Sequence, residues 1–226
     1  MSLDRVHRIV AAANALAPDL HVVLGDLPAH YRLVTRAVPM AEVAAVLAGL
    51  RAPLGRFAVL GNHDWWDDPD ARFGHTKAPM IHRLLDEAGI PVLANGAQRL
   101  PHGAGVWLAG TDSMLAFGSR SRGADRLPAA LAPLAADDSP AILLAHEPAM
   151  FDQVPPRVAL TLSGHTHGGQ VRLLGHSFVS PRFAGRHVYG HVAEGARQLV
   201  VSGGLGCSIV PVRLGVPPEL TLVQVS

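Results

Sequence analysis

Two histidines separated by one residue, His165 and His167, stand between glycines in the stretch Gly164-His165-Thr166-His167-Gly168-Gly169. That spacing suits a tight loop presenting both imidazoles to one centre, and neutral imidazole is a common metal ligand. Three further stretches share one format, an apolar run that stops abruptly at metal-capable residues. Val22-Val23-Leu24-Gly25 leads to Asp26, Phe57-Ala58-Val59-Leu60-Gly61 to Asn62-His63-Asp64, and Ile142-Leu143-Leu144-Ala145 to His146. Each has a bland reading alone: a turn for Gly25-Asp26, a polar turn for Asn62-His63-Asp64, a core or cap histidine for His146. Taken jointly they point to a metal site, because loops at the carboxyl ends of strands in α/β sheets converge on one crevice.

The elements that must position these residues alternate over the first part of the chain. Leu3, Val6, Ile9, Val10, Ala13 and Leu16 repeat at helical spacing, which predicts an amphipathic helix over 2–16, ended by Pro18. A short buried strand is predicted over 20–26, a helix over 40–50 after Pro39, and a strand over 56–64 that ends in a polar loop. A helix follows over 78–89, with Pro79 near its start and Gly89 after its end. Strands are predicted over 106–112 and 141–148, with a helical segment over 124–135 between them. From about residue 158 the texture becomes β-rich, with short strands over 157–169, 170–174, 187–192, 197–204 and 219–226. The pattern is that of a single α/β domain over 1–226, without a dividing linker or an internal repeat.

Composition narrows the function classes. At 226 residues, with 49% hydrophobic and 16% charged residues, the chain can bury a sizeable core. The formal net charge of +1 gives no electrostatic footprint for nucleic acid or an anionic membrane. No stretch approaches the roughly 20 apolar residues that span a bilayer. Cys207 is the single cysteine, so no intramolecular disulfide can form and a reducing compartment is the simpler expectation. The expected location is cytoplasmic, with peripheral membrane association if a further N-terminal segment belongs to the protein.

The motifs Gly25-Asp26, Gly61-Asn62-His63-Asp64, Ala145-His146-Glu147-Pro148 and Ser163-Gly164-His165-Thr166-His167-Gly168-Gly169-Gln170 occur in an order that resembles the calcineurin-like metallophosphoesterase superfamily. The extended stretches at residues 61–66 and 163–170 and the tail from Val200 resemble its bacterial YkuE/YaeI-like branch. The resemblance implies a four-layer α/β/β/α sandwich of two mixed sheets. It implies hydrolysis of phosphate esters by metal-activated water, with manganese, iron or zinc as the divalent ions. Asp26 would bridge two ions, Asn62, His146 and His165 would complete one ion's ligands, and His167 would serve the other. His63 would sit over the leaving group as general acid or charge stabiliser, Asp64 would orient its ring, and Asn62 and His63 would contact substrate. The roles are physically sensible. Two ions neutralise charge on phosphoryl oxygens and acidify a water, a carboxylate offers two oxygens for bridging, and an imidazole can protonate a departing alkoxide near neutral pH.

The same resemblance implies an Asp-x-His motif at the end of a first strand, and no such pair occupies that place here. Asp19-Leu20-His21 has the right letters but lies at the start of the strand whose far end carries Asp26. At ~3.3 Å per residue, His21 is ~16 Å and Asp19 ~23 Å from Asp26, too far for one ion. Asp4 and His7 share a helix face and read as solvated. The expectation is therefore that the first strand is missing. The second ion should then bind weakly or not at all, and an exposed sheet should lower stability or permit oligomerisation. Two rival readings stand beside this one: a catalytically impaired binding module on the same fold, and an amidohydrolase-type metallohydrolase built on His165 and His167. Trp65 and Trp66 could shield a substrate or pack in the core. Glu147 could orient His146 or face solvent. Asp112 is not read as a ligand, Cys207 has no assigned role, and Tyr189 reads as structural.

Overall fold

The computed structural model describes residues 2–28, 37–118, 122–174, 176–177 and 186–225. Helix α1 (Leu3–Ala15) starts where Ser2 accepts the Arg5 N–H, and it buries Val6, Val10 and Ala13. Strand β1 (His21–Val23) follows, then α2 (Met40–Leu47) and β2 (Arg56–Ala58), which lies parallel to β1. Two short helices, α3 (Asn62–Trp66) and α4 (Pro69–Arg72), precede α5 (Met80–Glu87). Asn62-His63-Asp64 is thus the first turn of a helix and not the polar loop expected from its composition.

The second half builds a six-stranded mixed sheet. Its strands are β3 (Gly96–Arg99), β4 (Trp107–Gly110), β5 (Ala141–Leu144), β6 (Leu160–Ser163), β9 (Gly190–Glu194) and β10 (Arg197–Val201), in the order β3-β4-β5-β6-β10-β9. The inner four, β4, β5, β6 and β10, run parallel. Helix α6 (Leu127–Leu131) lies between β4 and β5, and a small hairpin of β7 (Arg172–Leu173) and β8 (His176–Ser177) between β6 and β9. The alternation at Leu220, Leu222 and Val225 suggested a strand, but residues 219–225 join no sheet and those side chains are exposed. The predicted helix over 124–135 shortens to α6 and then tightens into a 3-10 turn over Ala132–Ala136.

Strand periodicity explains how the layers stack. Along β2, Phe57 and Val59 face one way and Ala58 and Leu60 the other. Ala58 and Leu60 join a core with Val6, Val43 and Leu85 of the helices. Phe57 and Val59 meet Leu108 and Leu144 of the large sheet. The other face of that sheet, with Ala109, Leu143 and Leu199, packs on Leu127, Met150 and Phe151. Helices, small sheet, large sheet and helices therefore form the expected α/β/β/α sandwich. No helix among the described residues is long and apolar enough to cross a membrane.

Phe151 is fully buried, with the Arg197 guanidinium 4.7 Å above its ring. Phe151→Ala should cost about 3–5 kcal/mol of unfolding free energy, read from the denaturant midpoint at unchanged m-value.

Candidate metal centre

β1 and β2 end side by side, and their carboxyl ends are pressed together. Gly25 (φ 86°) and Asp26 (φ 56°) turn the chain in the left-handed region directly after the first of them. A Cβ at Gly25 would lie 2.2 Å from the Gly61 amide nitrogen. One at Gly61 would lie 2.3 Å from Asp26 Oδ1 and 2.5 Å from His146 Cε1. Only glycine permits this approach. Asp64, buried in the first turn of α3, accepts N–H bonds from Gly61 (2.8 Å), Asp26 (2.8 Å) and Leu27 (3.1 Å). Asp26 Oδ1 accepts the His63 N–H at 2.8 Å in return. Asp64 thus clips the two strand ends together and fixes the carboxylate of Asp26.

The large sheet supplies imidazoles from the ends of β5 and β6. His146 Nε2 is 3.1 Å from Asp26 Oδ2. Its Nδ1 meets the Leu24 carbonyl, which can only accept, so Nδ1 carries a hydrogen and Nε2 is turned to the carboxylate. His165 Nδ1 is 3.3 Å from His146 Nε2. Asp26, His146 and His165 each offer a ligand atom, and these atoms lie within 4.8 Å of one another. Asn62 Oδ1 is buried without a hydrogen-bond partner among the described residues. A carboxylate and two imidazoles this close are a mixed N/O donor set that fits a divalent ion, and the orphaned Asn62 oxygen belongs to the residue after Gly61, which packs against Asp26 and His146.

His167 stands outside that group of three. Its Nδ1 faces Gln170 Oε1 at 2.8 Å, while the Gln170 Nε2 donates to the Ser208 and Val210 carbonyls at 2.9 and 3.1 Å. Those two carbonyls fix the amide, so His167 Nδ1 carries the hydrogen and Nε2 is left with its lone pair. Thr166 Oγ1 ties the loop down by donating to the Val188 carbonyl at 2.6 Å. His165 (φ 65°) and His167 (φ 53°) share the left-handed backbone of Asp26. Such positions cost on the order of 1–3 kcal/mol each and persist where the surroundings over-determine them.

Burial and neighbouring charges pull the ionisable groups of the centre in opposite directions. Burial would raise Asp26, but the His146 charge and hydrogen bond, helped by His63 and His165, outweigh it and hold the carboxyl below its ordinary range. Burial would lower His146, but the Asp26 charge and hydrogen bond push it up to about 10. Burial and the His146 charge drive His165 down to about 3, so it stays neutral. Burial and the nearby Asp26 charge raise Asp64 to about 7 against its three N–H donors.

The structure also places the other residues that the sequence singles out. Glu147 neither orients the His146 ring nor faces solvent: it is buried and accepts from Ser113 Oγ (2.5 Å) and the Met114 N–H (3.1 Å). Trp65 is a core side chain, whereas half-buried Trp66 meets the His63 ring edge-on at 5.1 Å. Tyr189 bonds Glu219 at 2.6 Å. His21 begins β1, at the far end from Asp26, and Asp4 and His7 are exposed.

This geometry can be set beside known proteins. The family model described as calcineurin-like phosphoesterase matches residues 2–169. The chain is 29% identical to the metallophosphoesterase YkuE of Bacillus subtilis, over 98% of this chain and 72% of that protein. It is 32% identical to the phosphodiesterase YaeI of Escherichia coli, over 98% of this chain and 76% of that protein. A transmembrane protein with metallophosphoesterase domain from Bos taurus is 30% identical, over 96% of this chain and 48% of that protein. The layered α/β sandwich and the acid-and-histidine centre at its strand ends agree with the metal-dependent phosphoesterase class that these matches share. The chain belongs to the calcineurin-like phosphoesterase family, hydrolases that act on phosphoric esters. The amidohydrolase-type reading falls with that result.

Two outcomes test the centre. Gly61→Ala should push Asp26 and His146 apart and weaken binding of added Mn2+ to metal-stripped protein by about tenfold or more, measured by calorimetry. In the wild type the protonated His146 competes with the ion, so lower pH weakens binding. Between pH 7 and about 10, affinity should rise about tenfold per unit, with about one proton released per ion, read from titrations in buffers of different ionisation enthalpy.

Proposed function

We propose that this protein hydrolyses phosphate esters, with phosphodiesters as the first class to test because YaeI is named a phosphodiesterase. The observation that carries the reading is the close group of Asp26, His146 and His165, with the orphaned Asn62 Oδ1 on the segment packed against it. Those four residues would hold one divalent ion, manganese, iron or zinc. Asp26 and His167 would serve a second. When bound, the ions neutralise charge on phosphoryl oxygens and make water acidic enough to attack at neutral pH.

The chain's own residues do the rest. Asp26 would hold the ions through its carboxylate, whose Oδ1 is oriented by the His63 N–H, and Asp64 holds its backbone in place. The Leu24 carbonyl keeps the His146 ring in the tautomer that directs Nε2 inward. Asn62 and His63, at the start of α3, would contact substrate, since the His63 N–H already bonds Asp26 Oδ1. His63, steadied by Trp66, would give its ring proton to the ester oxygen as the phosphorus–oxygen bond breaks. Asp64 would support that ring through the helical turn they share.

Wild-type protein with Mn2+ should hydrolyse bis-p-nitrophenyl phosphate, and excess chelator should abolish this. His63→Ala should lower kcat by about 10²–10⁴-fold for an alkyl phosphodiester, which needs a proton on its leaving oxygen, and by much less for the p-nitrophenyl ester. Ion binding without turnover of any ester would instead mark a binding module on the same fold. An equal loss on both esters would remove His63 as proton donor.

A further inference from the structure

We infer that the turn after β4, Asp112-Ser113, is a brace that sets the spacing between the two halves of the metal centre, which makes both positioning residues. The inference rests on the metal-binding reading above and adds residues that make no contact with the ion group itself. The centre is assembled from two sheets: Asp26 and Asn62 come from the ends of β1 and β2, His146 and His165 from the ends of β5 and β6. Something must hold these ends at a fixed separation, because ligand distances tolerate only a few tenths of an ångström.

The turn makes bonds to both halves. Asp112 Oδ1 accepts the Trp65 indole N–H at 2.7 Å, and Trp65 lies one helical turn beyond Asn62 in α3. The same oxygen accepts the Ser113 N–H at 3.0 Å. Ser113 Oγ then donates to Glu147 Oε1 at 2.5 Å, and Glu147 follows His146 directly. Glu147 Oε2 accepts the Met114 N–H at 3.1 Å, so both its oxygens are bound to this turn. A continuous run of bonds thus links the helix that carries Asn62 to the segment that carries His146.

The turn is itself anchored. The Thr111 N–H continues the β4–β5 ladder to the Leu144 carbonyl at 3.0 Å, and the Asp112 N–H donates to Asn95 Oδ1 at 3.2 Å. Trp65, Asp112, Ser113 and Glu147 are 2%, 6%, 0% and 2% exposed. Two carboxyl groups buried this deeply cost free energy that apolar packing would avoid. Their oxygens bind donors from the segments that position ligands or from the turn that joins those segments.

The test separates a brace from ordinary core stability. Metal-stripped wild type, Trp65→Phe, Ser113→Ala, Asp112→Leu and Asp112→Asn are titrated with Mn2+ by calorimetry, and their Tm values are measured. Val6→Ala, in the α1 core, serves as a control that lowers Tm away from the site. Trp65→Phe keeps the ring and loses the donor, and Asp112→Asn keeps an acceptor oxygen for both donors. Trp65→Phe, Ser113→Ala and Asp112→Leu should each lose 10- to 100-fold in ion affinity, Asp112→Asn should stay within about threefold of wild type, and Val6→Ala should bind normally. Should Asp112→Leu fail to fold, Trp65→Phe and Ser113→Ala decide the matter. Wild-type affinity in those two, whatever their Tm, would overturn the brace while leaving the metal centre intact. Absence of ion binding in the wild type would instead overturn the metal reading, and the brace with it.

Discussion

The contact between Asp26 and His146 joins the two sheets at the point where their strand ends meet, and the rest of the site is arranged around it. Asp26 is carried by the small sheet and His146 by the large one, so their 3.1 Å approach is also a statement about how the layers stack. A buried carboxylate needs a partner or a strong set of hydrogen bonds. His146, which the Asp26 charge pushes up, is that partner here.

Everything near that contact serves its geometry. Gly25 and Gly61 let two backbones approach where any side chain would collide. Asp64 spends three hydrogen bonds on backbone N–H groups of the two strand ends. Asp26, His165 and His167 accept a backbone region that residues with a side chain usually avoid. Local strain, close approach and buried charge all concentrate here, as expected where positioning matters more than local comfort.

The strand-end format was legible because two things coincide in one stretch: an apolar run long enough for a strand, then abrupt metal-capable residues. Asp26, His146 and His165 were brought together as that format implied. What failed to show was of two kinds. Short elements carry too little periodicity, so α3, with five residues, read as a loop, and the polar Gly96–Arg99 strand was not anticipated. Along 219–225, period-two alternation marked a strand that has no ladder partner among the described residues, since alternation specifies a face and not a neighbour. The other kind is long-range. Asp112 meets Trp65 across 47 positions and Glu147 meets Ser113 across 34, and no local pattern announces such pairs. Gln170 follows the His-Thr-His-Gly-Gly run directly, yet its hold on His167 becomes visible only when residues 208–210 fold back onto it.

Because the inner strands of the large sheet run parallel, its two rims are unequal. The candidate metal centre lies on the rim where those strands finish, while the connection from β3 to β4, residues 100–106, crosses the other. Pro101, His102, Gly103 and Gly105 are exposed there. New sequence spliced into that connection would emerge at the rim away from Asp26, His146 and His165. The architecture thus keeps one side free for appendages, whether a tether, a reporter or an additional module.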